Sequence, residues 1–119
     1  MPTVTHELYH PPRLLFNRHL ETIYPALFRK ISHNGHESVS IKTKDDDFLD
    51  LDWYNGYSEE RVVIICHGLE GDSVRPYMKG MARAFNLHQW DAIAWNYRGC
   101  GKRINLNKIF YHSGATYDL

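Results

Sequence analysis

From Val62 to Tyr97 the hydrophobic pattern changes period twice, and that change limits the chain to few architectures. Val62-Val63-Ile64-Ile65-Cys66 is an unbroken, mostly β-branched run, as expected of a strand covered on both faces. It ends in His67-Gly68-Leu69-Glu70-Gly71-Asp72-Ser73. A helix should follow, with Pro76 in its first turn, where the missing amide costs nothing. Val74, Tyr77, Met78, Met81, Ala82 and Phe85 draw its apolar stripe. Ala92-Ile93-Ala94-Trp95-Asn96-Tyr97 then reads as a second buried strand, ending at Arg98-Gly99-Cys100-Gly101. Strand, helix and strand in about 36 residues make a βαβ unit, whose crossover should be right-handed.

Upstream, the alternation differs. Val39, Ile41 and Thr43 alternate with polar residues, Asp45 to Asp47 make a polar turn, and Leu49, Leu51 and Trp53 alternate again. This pair predicts an antiparallel hairpin at the edge of the sheet, closed by Asn55-Gly56 and the charged Glu59-Glu60-Arg61. The sheet is therefore mixed and the class α/β. Earlier still, Leu20, Ile23, Tyr24, Leu27 and Phe28 share one helical face, with Asn17 as the cap. Pro25 interrupts that face, which predicts two short helices or a kinked one. Residues 1 to 13 carry Pro2, Pro11 and Pro12 and read as an irregular arm. The organisation is thus an arm with short helices over residues 1–37, followed by an α/β domain over residues 38–119.

Charge and composition exclude several function classes. Fourteen basic and fourteen acidic residues cancel, so the overall balance gives no sign of a nucleic-acid or anionic-membrane surface. No apolar run approaches the roughly 18 residues of a membrane span, and the first ten residues lack a secretion signal. A cytoplasmic setting is the expectation, with Cys66 and Cys100 as two buried, reduced thiols. Most of the eight histidines stand singly, so a zinc site is not expected.

Ligands of open α/β sheets collect at the carboxyl ends of the parallel strands. Two loops fall there. In His67-Gly68-Leu69-Glu70-Gly71 the glycines allow a sharp turn that aims backbone amides at an incoming oxygen anion. In the second, Gly101-Lys102 invites a phosphate reading, but Asn96 stands where a P-loop needs glycine and Arg103 where it needs Ser or Thr. The first loop also lacks the spacing of a dinucleotide site. Arg98 reads as a structural or rim cation.

Several segments then become familiar. Arg18-His19-Leu20-Glu21-Thr22-Ile23-Tyr24-Pro25-Ala26-Leu27-Phe28-Arg29 resembles the signature near the start of YheT-like α/β hydrolases, within the serine esterase superfamily. Cys66-His67-Gly68-Leu69-Glu70-Gly71 is similar to that family's oxyanion loop. Asn96-Tyr97-Arg98-Gly99-Cys100 and Tyr111-His112-Ser113-Gly114 resemble its next two landmarks. The resemblance implies a carboxylic-ester or lipid esterase without metal or organic cofactor. It places the oxyanion-hole donor on the Leu69 amide, with His67, Gly68 and Gly71 shaping the loop.

The attacking group is missing from the pattern. None of Ser32, Ser38, Ser40, Ser58, Ser73 and Ser113 sits in G-x-S-x-G. In the family the nucleophile, acid and histidine lie later in the chain. The resemblance thus covers the N-terminal portion of a hydrolase, and the chain alone is expected to be inactive. Rebuilt triads from Ser73, His67 and Asp72, or from His112, Ser113 and Asp118, are disfavoured because sequence neighbours seldom face one another. The alternative is a non-catalytic half-hydrolase acting as a binding or interaction module. In either case Val62 to Cys66 would lack its far-side partner, and the open strand edge predicts self-association or capture of a complementing segment.

Overall fold

A computed structural model describes residues 10–58, 60–112 and 114–119. Most of the expected irregular arm, residues 1–9, lies outside the described residues, as do Glu59 and Ser113. The chain divides into two compact units at the Lys30–Ile31 junction. In the first, helix α1 spans Arg18–Phe28. Asn17 caps it, its Oδ1 accepting the His19 amide at 2.9 Å. Of the two expected outcomes at Pro25, the division into two short helices does not occur. The helix runs through Pro25 as one element, and the Pro25 carbonyl accepts the Arg29 amide at 3.1 Å to close the last turn.

The second unit holds strands β1 (Glu37–Lys42), β2 (Phe48–Tyr54), β3 (Val62–Cys66) and β4 (Asp91–Trp95), with helix α2 (Pro76–Leu87) between β3 and β4. The sheet order is β1-β2-β4-β3. Strands β1 and β2 pair antiparallel, as do β2 and β4, whereas β3 and β4 run parallel. The hairpin turn is closed by Thr43 and Asp47, whose amide and carbonyl meet at 2.9 Å, with Asp46 at φ +61°. Aspartate tolerates that left-handed backbone better than most residues.

Register sorts the side chains into two faces. Tyr54, Ala92, Ala94, Ile65 and Val63 meet Met78 and Ala82 of α2 in the main core. Leu49, Leu51 and Trp95 form a second cluster on the opposite face, with Ile93 and Tyr97 against it. Cover on that second face stops short of β3: Val62 is 51% exposed and Ile64 49%, with Cys66 exposed beside them. The expectation of a strand covered on both faces, with buried thiols, is therefore corrected. The physical reason is position, since β3 ends the sheet and α2 packs on one side of it. A β-branched run specifies a strand, but not what lies above and below it.

Candidate oxyanion site at the carboxyl ends of the parallel strands

Register pairs Cys66 with Trp95 at the ends of β3 and β4, and the chain turns sharply just beyond. His67 is buried there and ties the two strand ends together. Its Nε2 accepts the Tyr97 amide at 3.3 Å, and a backbone amide can only donate. The proton must then sit on Nδ1, which donates to the Gly68 carbonyl at 2.8 Å. Both ring nitrogens are thereby engaged. Tyr97 and Tyr111 pack edge-on against the imidazole at 5.1 and 5.9 Å and stack on each other at 5.2 Å.

The next four residues form a tight turn, closed by the Gly71 amide donating to the Gly68 carbonyl at 3.0 Å. Glu70 occupies the left-handed region, φ +53°, at a cost of about 1 kcal/mol for a residue with a side chain. A Cβ on Gly71 would lie 2.9 Å from the Gly68 carbonyl oxygen and 3.0 Å from the His67 ring, so this position must be glycine. A Cβ on Gly68 would meet nothing within 4 Å.

Amide accounting singles out one group. The Gly68 amide donates to Tyr77 Oη at 2.9 Å, the Glu70 amide to Tyr111 Oη at 2.5 Å, and the Gly71 amide to Gly68. The Leu69 amide has no acceptor among the described residues, and its residue is 86% exposed. Within the Gly68–Gly71 turn the Leu69 amide is therefore the single uncommitted donor, held in place by two phenols and a buried imidazole. Neither tyrosine hydroxyl was singled out by sequence, because Tyr77 read as part of an apolar stripe and Tyr111 as a landmark without a partner.

The phenols and the thiol around the turn titrate above their ordinary values. Burial pushes the Tyr97 phenol up, and its hydrogen bond with Cys66 adds to this. The Glu70 amide pulls the Tyr111 phenol down, but partial burial and the Cys100 thiol outweigh it, so it too titrates above its ordinary value. Burial raises the Cys100 thiol, against a smaller downward pull from Tyr111. A protonated thiol is a poor nucleophile.

No rebuilt triad is present among the described residues. Ser73 is buried with its hydroxyl donating to Asp52 at 2.6 Å and accepting from Asn96 at 3.0 Å, while its amide donates to Asn96 at 2.8 Å. Ser38 also donates to Asp52, at 2.8 Å. Asp72 accepts the Val74 amide at 3.1 Å. His112 is exposed, Asp118 is bound to Arg98, and Ser113 lies outside the described residues. Among the described residues no three His, Cys, Asp or Glu side chains are grouped to hold a metal, and no helix is long and apolar enough to cross a membrane.

Arg98 is structural. It is buried, its guanidinium gripping Asp118 through Nε and Nη2 at 2.7 Å each and Asp45 through Nη1 and Nη2 at 2.6 and 3.0 Å. Those carboxylates, Asp118 foremost, raise the arginine further above its already high value. The same contact holds Asp45 well below the usual carboxylate range.

Over 91% of its length the chain is 32% identical to the Escherichia coli (strain K12) protein named "Putative esterase YheT". Over 87% of its length it is 30% identical to "Embryogenesis-associated protein EMB8" of Picea glauca. The chain spans 33% and 25% of the lengths of those two proteins. No protein-family model matches it, and no solved structure matches it.

Proposed function

We propose that this chain, a homologue of YheT, contributes half of an oxyanion hole to a site that hydrolyses carboxylic esters. In this reading residues 38–119 are the N-terminal part of an α/β-hydrolase fold, and β3–α2–β4 is its right-handed crossover. The observation that carries the proposal is the uncommitted Leu69 amide at the carboxyl end of β3, flanked by amides that are all bonded.

Ester hydrolysis by a serine passes through a tetrahedral intermediate whose carbonyl oxygen becomes an anion. A backbone amide fixed before the reaction stabilises that charge without reorganising, and losing one such donor costs about 3 kcal/mol. The Leu69 amide suits this role because Tyr77 and Tyr111 hold its neighbours on both sides. His67 is a positioning residue here and not the proton carrier, since neither ring nitrogen is free. The second donor would be the amide after a serine on a G-x-S-x-G elbow, which these 119 residues do not contain.

Two measurements test this. A fluorophosphonate probe should leave the 119-residue chain unlabelled, and labelling of any of its serines overturns the reading. In a gene product joining this chain to a serine elbow, Leu69→Pro removes the donor. It should lower kcat for a p-nitrophenyl ester by about 100-fold or more with little change in KM. Leu69→Ala keeps the amide and should retain activity. Equal turnover by both variants would sink the proposal.

The bare edge of β3 supports a strand-pairing partner, either a complementing segment or a second copy. Sedimentation equilibrium of the isolated chain should report association. A single monomeric species at all concentrations would count against it.

A further inference from the structure

The Leu69 amide has no acceptor to fix its direction, so that direction is set by whatever holds the two ends of its loop. Both ends land on one dipeptide. At the near end the Tyr97 amide donates to His67 Nε2 at 3.3 Å. At the far end the Ser73 amide donates to Asn96 Oδ1 at 2.8 Å. The stretch from His67 to Ser73 thus leaves β3 and is fastened twice to consecutive residues just past the end of β4. Between these ends Glu70 has a left-handed backbone and Gly71 is crowded. Strained conformations of this kind persist only where the surroundings over-determine them.

Asn96, Ser73 and Asp52 are all buried, and the direction of each bond among them is fixed by chemistry. The Asp50 carbonyl can only accept and the Ser73 amide can only donate. Asn96 must therefore point Nδ2 at the first, at 3.0 Å, and Oδ1 at the second. Nδ2 also donates to Ser73 Oγ at 3.0 Å, which leaves the hydroxyl proton for Asp52 Oδ2 at 2.6 Å. Ser38 donates to the other oxygen of Asp52 at 2.8 Å, with His36 Nε2 3.6 Å away. Aspartate at position 96 would lack the donors, and an apolar residue would lack donors and acceptor alike. A buried network satisfied in this way holds its members rigidly, and every partner belongs to this chain.

We propose that Asn96 is a positioning residue for the oxyanion donor. By holding the Ser73 amide it fixes the far end of the loop, and with it the direction of the Leu69 amide. The catalytic consequence rests on the hydrolase reading above, whereas the positioning itself does not.

Two variants separate positioning from general support. Asn96→Ala removes the acceptor of the Ser73 amide. Ser73→Ala removes two buried hydroxyl bonds but keeps the amide, and so keeps the tie to Asn96. In the 119-residue chain, backbone NMR relaxation should show residues 68–71 moving more freely in Asn96→Ala. They should stay near the parent in Ser73→Ala, with α2 unchanged in both. Asn96→Leu, of similar volume, should loosen the loop as the alanine does, which keeps the test intact if the smaller side chain prevents folding. Equal loosening in the Asn96 and Ser73 variants, or none in the Asn96 variants, overturns the proposal. Unfolding of both Asn96 variants overturns it too, by assigning the residue to general stability.

In the joined gene product the consequence is read as a cycle with Leu69→Pro. Asn96→Ala should lower kcat about tenfold with KM within about twofold of the parent. It should add little further loss on top of Leu69→Pro, because both act through one amide. Additive losses would show that Asn96 acts elsewhere, overturning the proposal while the oxyanion reading stands. A Leu69→Pro variant as active as Leu69→Ala would instead sink the oxyanion reading and the catalytic half of the proposal together, leaving the relaxation result to judge the loop.

Discussion

The two loops at the carboxyl ends of the parallel strands are built on opposite plans. The loop after β4 uses its polar groups on internal bonds: Asn105 accepts the Gly99 amide at 2.7 Å, Asp47 gathers four donors, and Arg98 is clamped between Asp45 and Asp118. The loop after β3 is a single turn in which one amide, that of Leu69, is left over. The first achieves shape through many bonds to Asp45, Asp47 and Asp50. The second fixes its neighbours so that one vacancy keeps a constant direction. Fixed vacancies can bind or catalyse, and bonded networks set what surrounds them.

The largest effect should come from breaking those bonds. Asp47→Ala would leave the part-buried Phe48, Leu106 and Asn107 amides without their acceptor and take one of two acceptors from the Asn105 side-chain amide. The thermal midpoint should fall by about 10 °C or more, and protease cleavage should begin within residues 104–110. A melt unchanged from the parent would show that the network is not what holds the loop.

The same carboxylate sets the acid response. Burial alone would raise the Asp47 pKa, but the amides of Leu106, Asn107 and Phe48 and the Asn105 side chain reverse this and lower it from 3.8 to about 2. The folded value lies below the unfolded one. The stabilisation is therefore fully present above about pH 4 and fades as pH falls toward about 2. Asp45, held low by Arg98, acts in the same direction. Chemical denaturation at pH 5 and near pH 2.5 should show a clear loss for the parent and a smaller one for Asp47→Asn.

On the β3 side the effects are more modest. Gly71→Ala forces a methyl group against the Gly68 carbonyl and the His67 ring and should cost about 1 to 3 kcal/mol. Urea titration measures this, with the loss of ester turnover in the joined gene product as a second readout. A neutral result would mean that the turn relaxes freely and that the Leu69 amide is not rigidly aimed.

Much of this architecture was legible because it is local. Alternation at Val39 to Trp53 gave the hairpin, Asn17 the helix cap, and the run at Val62 with the stripe at Met78 and Ala82 a strand and its helix. The HGxxG spacing located the turn. What remained hidden depends on partners far along the chain. Asp47 reads as one of three turn aspartates until Asn105 to Asn107 reach it across about 60 positions. Tyr111 becomes a loop anchor only when it meets Glu70. The exposure of Val62 and Ile64 follows from sheet order, which periodicity does not encode. Pro25 sits inside α1 without dividing it into two helices.

The smallest expected effect discriminates most finely between the two plans. Gly68 and Gly71 look equivalent in the motif, yet only Gly71 is crowded. Gly68 has an ordinary backbone conformation and open space where a side chain would begin. Gly68→Ala should thus leave the Tyr77 bond to its amide intact. It should change stability by no more than about 0.5 kcal/mol, with a slight gain possible from a stiffer unfolded chain. Its effect on catalysis carries separate information. The Leu69 nitrogen is bonded to Gly68, so a substrate oxygen can reach it either over position 68 or from the Glu70 side. An alanine there that preserves the melt but raises KM in the joined gene product would locate the acyl group over Gly68. Full activity would place the approach on the Glu70 side instead, and a destabilised fold would mean that the space above Gly68 is occupied after all.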